Sequence, residues 1–78
     1  MSEADERRLR RAIELAAAAR EAGDMPFGSL LVGPAGDVLA EARNTVVTER
    51  DITAHPELKL ARWAARHLDA GTARNTTM

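Results

Sequence analysis

Apolar side chains recur every three or four residues near the N-terminus, at Leu9, Ala12, Ile13, Ala16 and Ala19, with charged residues filling most of the gaps. That spacing puts them on one face of an α-helix and predicts a helix from about Glu3 to Ala22. Ser2 and Asp5 form a helix-capping arrangement, Glu3 with Arg7 and Glu6 with Arg10 are acid-before-base pairs four apart, and Gly23 marks the stop. The pattern then changes. Phe27 to Val32 is a short, largely apolar stretch and Val38 to Ala42 is another. The intervening Gly33-Pro34-Ala35-Gly36-Asp37 has the chemistry of a turn, so the two stretches read as a β-hairpin. In the second strand Val38, Ala40 and Ala42 alternate with Leu39, Glu41 and Arg43, which predicts one small apolar face and one partly charged face.

From Asn44 to Thr53 the sequence is polar and β-branched, with no regular period. It reads as a loop, long for a plain connection and therefore a place to look for function. A second helix follows, with Thr53 as its cap, Pro56 in its first turn and a buried stripe of Leu60, Ala61, Ala64, Ala65 and Leu68, ending at Gly71. The last residues, Asn75-Thr76-Thr77-Met78, are those of an incipient third strand. The predicted order is helix, hairpin, helix, strand, an α/β class.

Composition sharpens this picture. Of the 78 residues 45 % are hydrophobic, but 16 of these are alanine, so few side chains are large enough to build a deep core. The chain fits one small domain with a thin core, and leaves an apolar face for a partner chain or for the rest of its own domain. The absence of cysteine excludes a disulfide scaffold and any all-cysteine zinc site. No apolar run approaches a membrane span, and the acidic, arginine-rich N-terminus is unlike a secretory signal, so a cytoplasmic location is expected. With a net charge of −1, no global field draws the chain to nucleic acid or anionic lipid. Arg7, Arg8, Arg10 and Arg11 are interleaved with Glu3, Asp5, Glu6 and Glu14 and read as a solvated helix face. Trp63 reads as a partly buried helix residue, and His67 as a surface residue near a helix C-terminus, where positive charge is favourable.

One constellation has a chemical rationale: His55-Pro56-Glu57, preceded by Asp51-Ile52-Thr53-Ala54. Imidazole ligates zinc, and a nearby carboxylate moves protons to and from water. Residues two apart in a regular helix point about 200° away from each other, so a shared site requires His55 to lie in the cap region. With two histidines and seven glutamates in the chain, an H-x-E tripeptide arises by chance in roughly one such sequence in five. Taken alone, it reads first as a solvated histidine near a helix cap and a glutamate interacting with the helix N-terminus.

In order, the chain presents Pro26-Phe27-Gly28 opening the hairpin, Gly33 and Gly36 at its turn, Arg43-Asn44 closing it, and then Asp51 to Glu57. This series resembles the N-terminal half of the zinc-dependent cytidine and deoxycytidylate deaminase superfamily, within it most nearly the guanine deaminase, nucleoside deaminase and tRNA adenosine deaminase branch. The resemblance covers about residues 6 to 78. It implies the helix–hairpin–helix half of a three-layer α/β/α domain with a mixed sheet, residues 1 to 78 being the part of a single domain that precedes a P-C-x-x-C motif. It implies hydrolytic deamination of a nucleobase or nucleoside by the complete enzyme, the Pro-Phe-Gly segment and Asn44-Thr45-Val46-Val47-Thr48 tilting the choice to a guanine-type small molecule over tRNA. His55 would be a ligand of Zn2+, Glu57 the proton shuttle, and Asn44, Phe27 and Ala54 the contacts to substrate. A homodimer is expected of the complete enzyme, and no membrane. Proline at 56 replaces the usual alanine and removes a backbone donor, and isoleucine at 52 replaces a common proline. With the cysteine ligands absent, the chain alone is expected to be inactive. The rival readings are a small non-catalytic interaction module and an arginine-bearing nucleic-acid binder, the second disfavoured by the net charge.

Overall fold

The computed structural model describes residues 2–69, 71, 72 and 76. Helix α1 (Glu3–Glu21) leads into strand β1 (Gly28–Val32), β2 (Val38–Arg43), a four-residue helix α2 (Val46–Glu49) and helix α3 (Pro56–His67). β1 and β2 form an antiparallel two-stranded sheet, the only sheet among the described residues. The expected third strand at 75–78 falls largely outside the described residues, and with it the test of a mixed sheet. No described helix is long and apolar enough to cross a membrane.

The neighbouring residues Leu30 and Leu31 are both buried although their side chains leave opposite faces of β1. Both faces are therefore covered: α1 and α3 each pack on both strands. Among the described residues the buried apolar groups are few, Ala19, Leu30, Leu31, Ala54, Pro56 and Leu60, as the alanine-rich composition implies. The α1 face is closest to the sheet at Gly28, where a Cβ would lie 2.5 Å from Leu15 Cβ, 2.7 Å from the Ala12 carbonyl oxygen and 2.9 Å from the Ala16 nitrogen. This contact selects the side of α1 that faces inward. Leu9 and Ile13, expected in the buried stripe, are turned outward and are 50 % and 59 % exposed. Arg11 reaches across to Glu41 of β2 with a two-pronged contact, Nε to Oε2 at 2.7 Å and Nη2 to Oε1 at 2.9 Å. The pair raises the pKa of Arg11 and lowers that of Glu41.

Three further expectations are corrected. Leu31 pairs with Ala40 but Val32 with Val38, so Leu39 is an extra residue that breaks the alternation read along β2. In α3, Ala61 and Ala65 are exposed, and the inward residues are Pro56 and Leu60. That helix ends at His67 and not at Gly71, because Leu68 is extended, and beyond it the Asp69 carboxylate accepts from the Thr72 amide at 2.7 Å. Such a local side-chain bond competes with continuation of a helix. Trp63 is half-buried as expected; its ring stacks on that of His67 at 4.6 Å, and His67 Nδ1 donates to the Trp63 carbonyl at 2.9 Å.

Candidate functional site

His55 is the N-cap of α3, with an extended backbone at φ −87° and ψ 141°. It therefore stands outside the helical spiral, the arrangement that lets it meet a residue two positions on. Its Nδ1 lies 3.3 Å from Glu57 Oε1 in the first turn, with the two side chains 43 % and 58 % exposed. Pro56 occupies the first helical position, where the missing N–H has no helical partner to lose. The cap assigned to Thr53 is not formed. Thr53 instead donates from both its amide and its hydroxyl to Asp51 Oδ1, at 2.9 and 2.7 Å, which lowers the Asp51 pKa.

The end of β2 is brought beside this turn by the backbone. Thr45 N–H donates to the Ala54 carbonyl at 3.1 Å, and Asn44 N–H donates to the Phe27 carbonyl at 3.0 Å. Asn44, Ala54 and Phe27 are thus drawn to the same end of the sheet. Asn44 is wholly buried; its Oδ1 accepts from Val46 N–H at 3.0 Å, while Nδ2 has no partner. Ala54 is buried. Phe27 is half exposed, so it is not a core residue.

Lys59 cross-links the same region from α3. Its Nζ donates to the Arg43 carbonyl at 3.0 Å and to Thr45 Oγ1, and lies 3.5 Å from Glu49 Oε2. Neither Lys59 nor Asp24 stood out in the sequence. Asp24 is nearly buried and receives Thr48 N–H and Thr48 Oγ1 on its two oxygens at 2.7 and 2.6 Å, which lowers its pKa. The 44–53 segment, read as a loop, thereby contains α2. No periodicity announces these contacts, since Asp24 follows Gly23 as an ordinary post-helix turn residue would.

A catalytic zinc ion needs three protein ligands. The chain contains no cysteine, and no group of three His, Cys, Asp or Glu side chains placed to hold a metal occurs among the described residues. His55 offers a single imidazole, so the described residues do not by themselves fit the ion. What they do present is an imidazole and a carboxylate at a helix start, in a turn that the Thr45–Ala54 hydrogen bond joins to the segment of Asn44, whose buried Nδ2 has no partner.

No family model matches the sequence. A tRNA-specific adenosine deaminase of Haemophilus influenzae is 35 % identical over 77 residues, covering 99 % of this chain and 44 % of that protein. A tRNA(Ile)-lysidine synthase of Deinococcus deserti is 39 % identical over 62 residues, covering 80 % of this chain and 11 % of that protein. The chain spans less than half the length of either relative. The first similarity runs along nearly the whole chain and is to a deaminase, the superfamily whose motif order the sequence resembles. Neither relative is a guanine deaminase by name.

Proposed function

We propose that this chain is the N-terminal part of a domain that deaminates a nucleobase or nucleoside by hydrolysis. The observation that carries the reading is the His55–Glu57 pair at the start of α3, set beside Asn44 with its buried, unpartnered Nδ2. An unpaired buried donor is costly in a folded protein and is relieved by a ligand acceptor. In this reading Asn44 Nδ2 binds the substrate, with Phe27 and the Ala54 backbone beside it. Water adds to the amine-bearing ring carbon, Glu57 accepts a proton from that water and returns one to the departing nitrogen, and ammonia leaves. The reading carries a zinc requirement, with His55 as one ligand and the others supplied from elsewhere in the complete enzyme, since this chain has no cysteine. A homodimeric complete enzyme belongs to the same proposal.

The substrate class has two candidates. The name of the Haemophilus relative favours adenosine within tRNA; the Pro26-Phe27-Gly28 segment and the run from Asn44 to Thr48 favour a free guanine-type base or nucleoside. The full gene product, purified with zinc, is to be assayed for ammonia release from free bases and nucleosides and for inosine formation in tRNA. Turnover of either class supports deamination and selects the substrate. Absence of both, with zinc bound, refutes the proposal and favours an interaction module.

A further inference from the structure

Helix α2 has little local support beyond its flanking Asn44 and Thr45. Its sequence Val46-Val47-Thr48-Glu49 contains three β-branched residues, four residues are far too few for independent helicity, and Thr45 at its N-cap makes no side-chain capping bond. The Thr45 hydroxyl is engaged instead by Glu49 and Lys59. Two amides of its first turn are satisfied by side chains, Val46 N–H by the neighbouring Asn44 Oδ1 and Thr48 N–H by the distant Asp24 Oδ1. Asp24 lies 24 positions earlier, between α1 and β1, is only 6 % exposed, and also receives the Thr48 hydroxyl. Its lowered pKa, due first to the Thr48 hydroxyl and then to the Thr48 amide, keeps it ionised and able to accept both bonds at neutral pH. The positive charge of Arg43 adds a small coulombic contribution to that effect.

The consequence reaches the candidate site through Asn44. Its Oδ1 is held by the Val46 amide, and that single bond fixes which way the amide plane lies and leaves Nδ2 as the free donor. If α2 unwinds, the Val46 amide moves and Asn44 can turn. We propose that Asp24 is a positioning residue for the candidate site, capping α2 from a distant segment so that Asn44 is held with Nδ2 free to bind substrate. The inference rests on the reading of Asn44 as a substrate contact.

The test uses Asp24→Ala, Asp24→Asn, Thr48→Val and Thr48→Ser in the full gene product. Steady-state deamination kinetics are measured alongside hydrogen exchange of residues 44–49 by mass spectrometry. Asp24→Ala is expected to raise KM about tenfold with kcat within about twofold, the signature of lost substrate binding, and to speed exchange at 46–48. Thr48→Val, which keeps the backbone donor, falls between Asp24→Ala and the parent; Thr48→Ser, which keeps both donors, restores the parent values. Asp24→Asn and Thr48→Val report on the same clamp if Asp24→Ala does not fold. A lower melting temperature with unchanged KM would overturn the positioning role and leave a purely structural one. If the parent deaminates nothing, the functional reading fails; exchange then decides the clamp alone, faster exchange at 46–48 upholding it and unchanged exchange overturning it.

Discussion

Replacing Gly28 by alanine perturbs the point where α1 comes closest to the sheet, and its cost can be worked from three distances. The new Cβ would lie 2.5 Å from Leu15 Cβ, 2.7 Å from the Ala12 carbonyl oxygen and 2.9 Å from the Ala16 nitrogen, where carbon atoms in contact normally sit about 3.5–4.0 Å apart. Two of the three atoms are backbone and the third is a Cβ, so no rotamer change relieves the overlap and α1 must move away by about 1 Å. Overpacking of this kind costs about 1–3 kcal/mol, and a bodily helix shift belongs at the upper end. For a domain of this size, about 3 kcal/mol lowers the melting temperature by about 12–24 °C. Gly23→Ala is the control: at φ +91° it incurs backbone strain, but nothing lies within 4 Å of its Cβ. That change should cost about 1 kcal/mol. Thermal unfolding followed by circular dichroism compares the two, together with Gly28→Ala in a Leu15→Ala background, which keeps the obstructing Cβ and should not rescue it. A Gly28→Ala variant no less stable than Gly23→Ala, or one rescued by Leu15→Ala, would refute the close approach of α1 to β1.

The Arg11–Glu41 pair is largely exposed, so its coupling in a double-mutant cycle should be small at low ionic strength and vanish near 1 M salt; coupling that persists in high salt would contradict this. Asp24 has a folded pKa below its ordinary value, so its contribution to stability is complete above about pH 4 and is lost as pH falls through the depressed value. Melting temperatures between about pH 5 and pH 2 should therefore show a shallower acid decline in Asp24→Asn than in the parent, and parallel curves would remove Asp24 from the acid transition.

The elements with local causes were legible in the sequence. Ser2 accepts from the Asp5 amide and α1 stops before Gly23, the turn between β1 and β2 falls at 33–37, and Pro56 stands in the first turn of α3. The inward face of α1 is not legible in the sequence because an alanine-rich helix has small apolar residues on several sides. The choice among them is made by Gly28, which admits the backbone of Ala12 and Ala16 and turns Leu9 and Ile13 outward. Helix α2 was missed because its cap comes from Asp24, and β-branched residues give no local sign of a helix that tertiary contacts impose. At the candidate site the spacing sets only a condition, that His55 must lie in the cap region to meet Glu57, and the buried, half-satisfied state of Asn44 depends on how β2, α2 and the turn before α3 meet.

The central claim is that His55 and Glu57 carry separate roles, ligand and proton carrier, in one deaminating site. Zinc content measured beside deamination rate, in the full gene product and its His55→Ala and Glu57→Gln variants, tests it most directly. His55→Ala should lose metal and activity together. Glu57→Gln should keep its zinc while turnover falls by about 10²- to 10⁴-fold, the usual loss when a general acid–base group is removed. Near-normal turnover by Glu57→Gln, or loss of zinc as complete as in His55→Ala, would contradict the assignment.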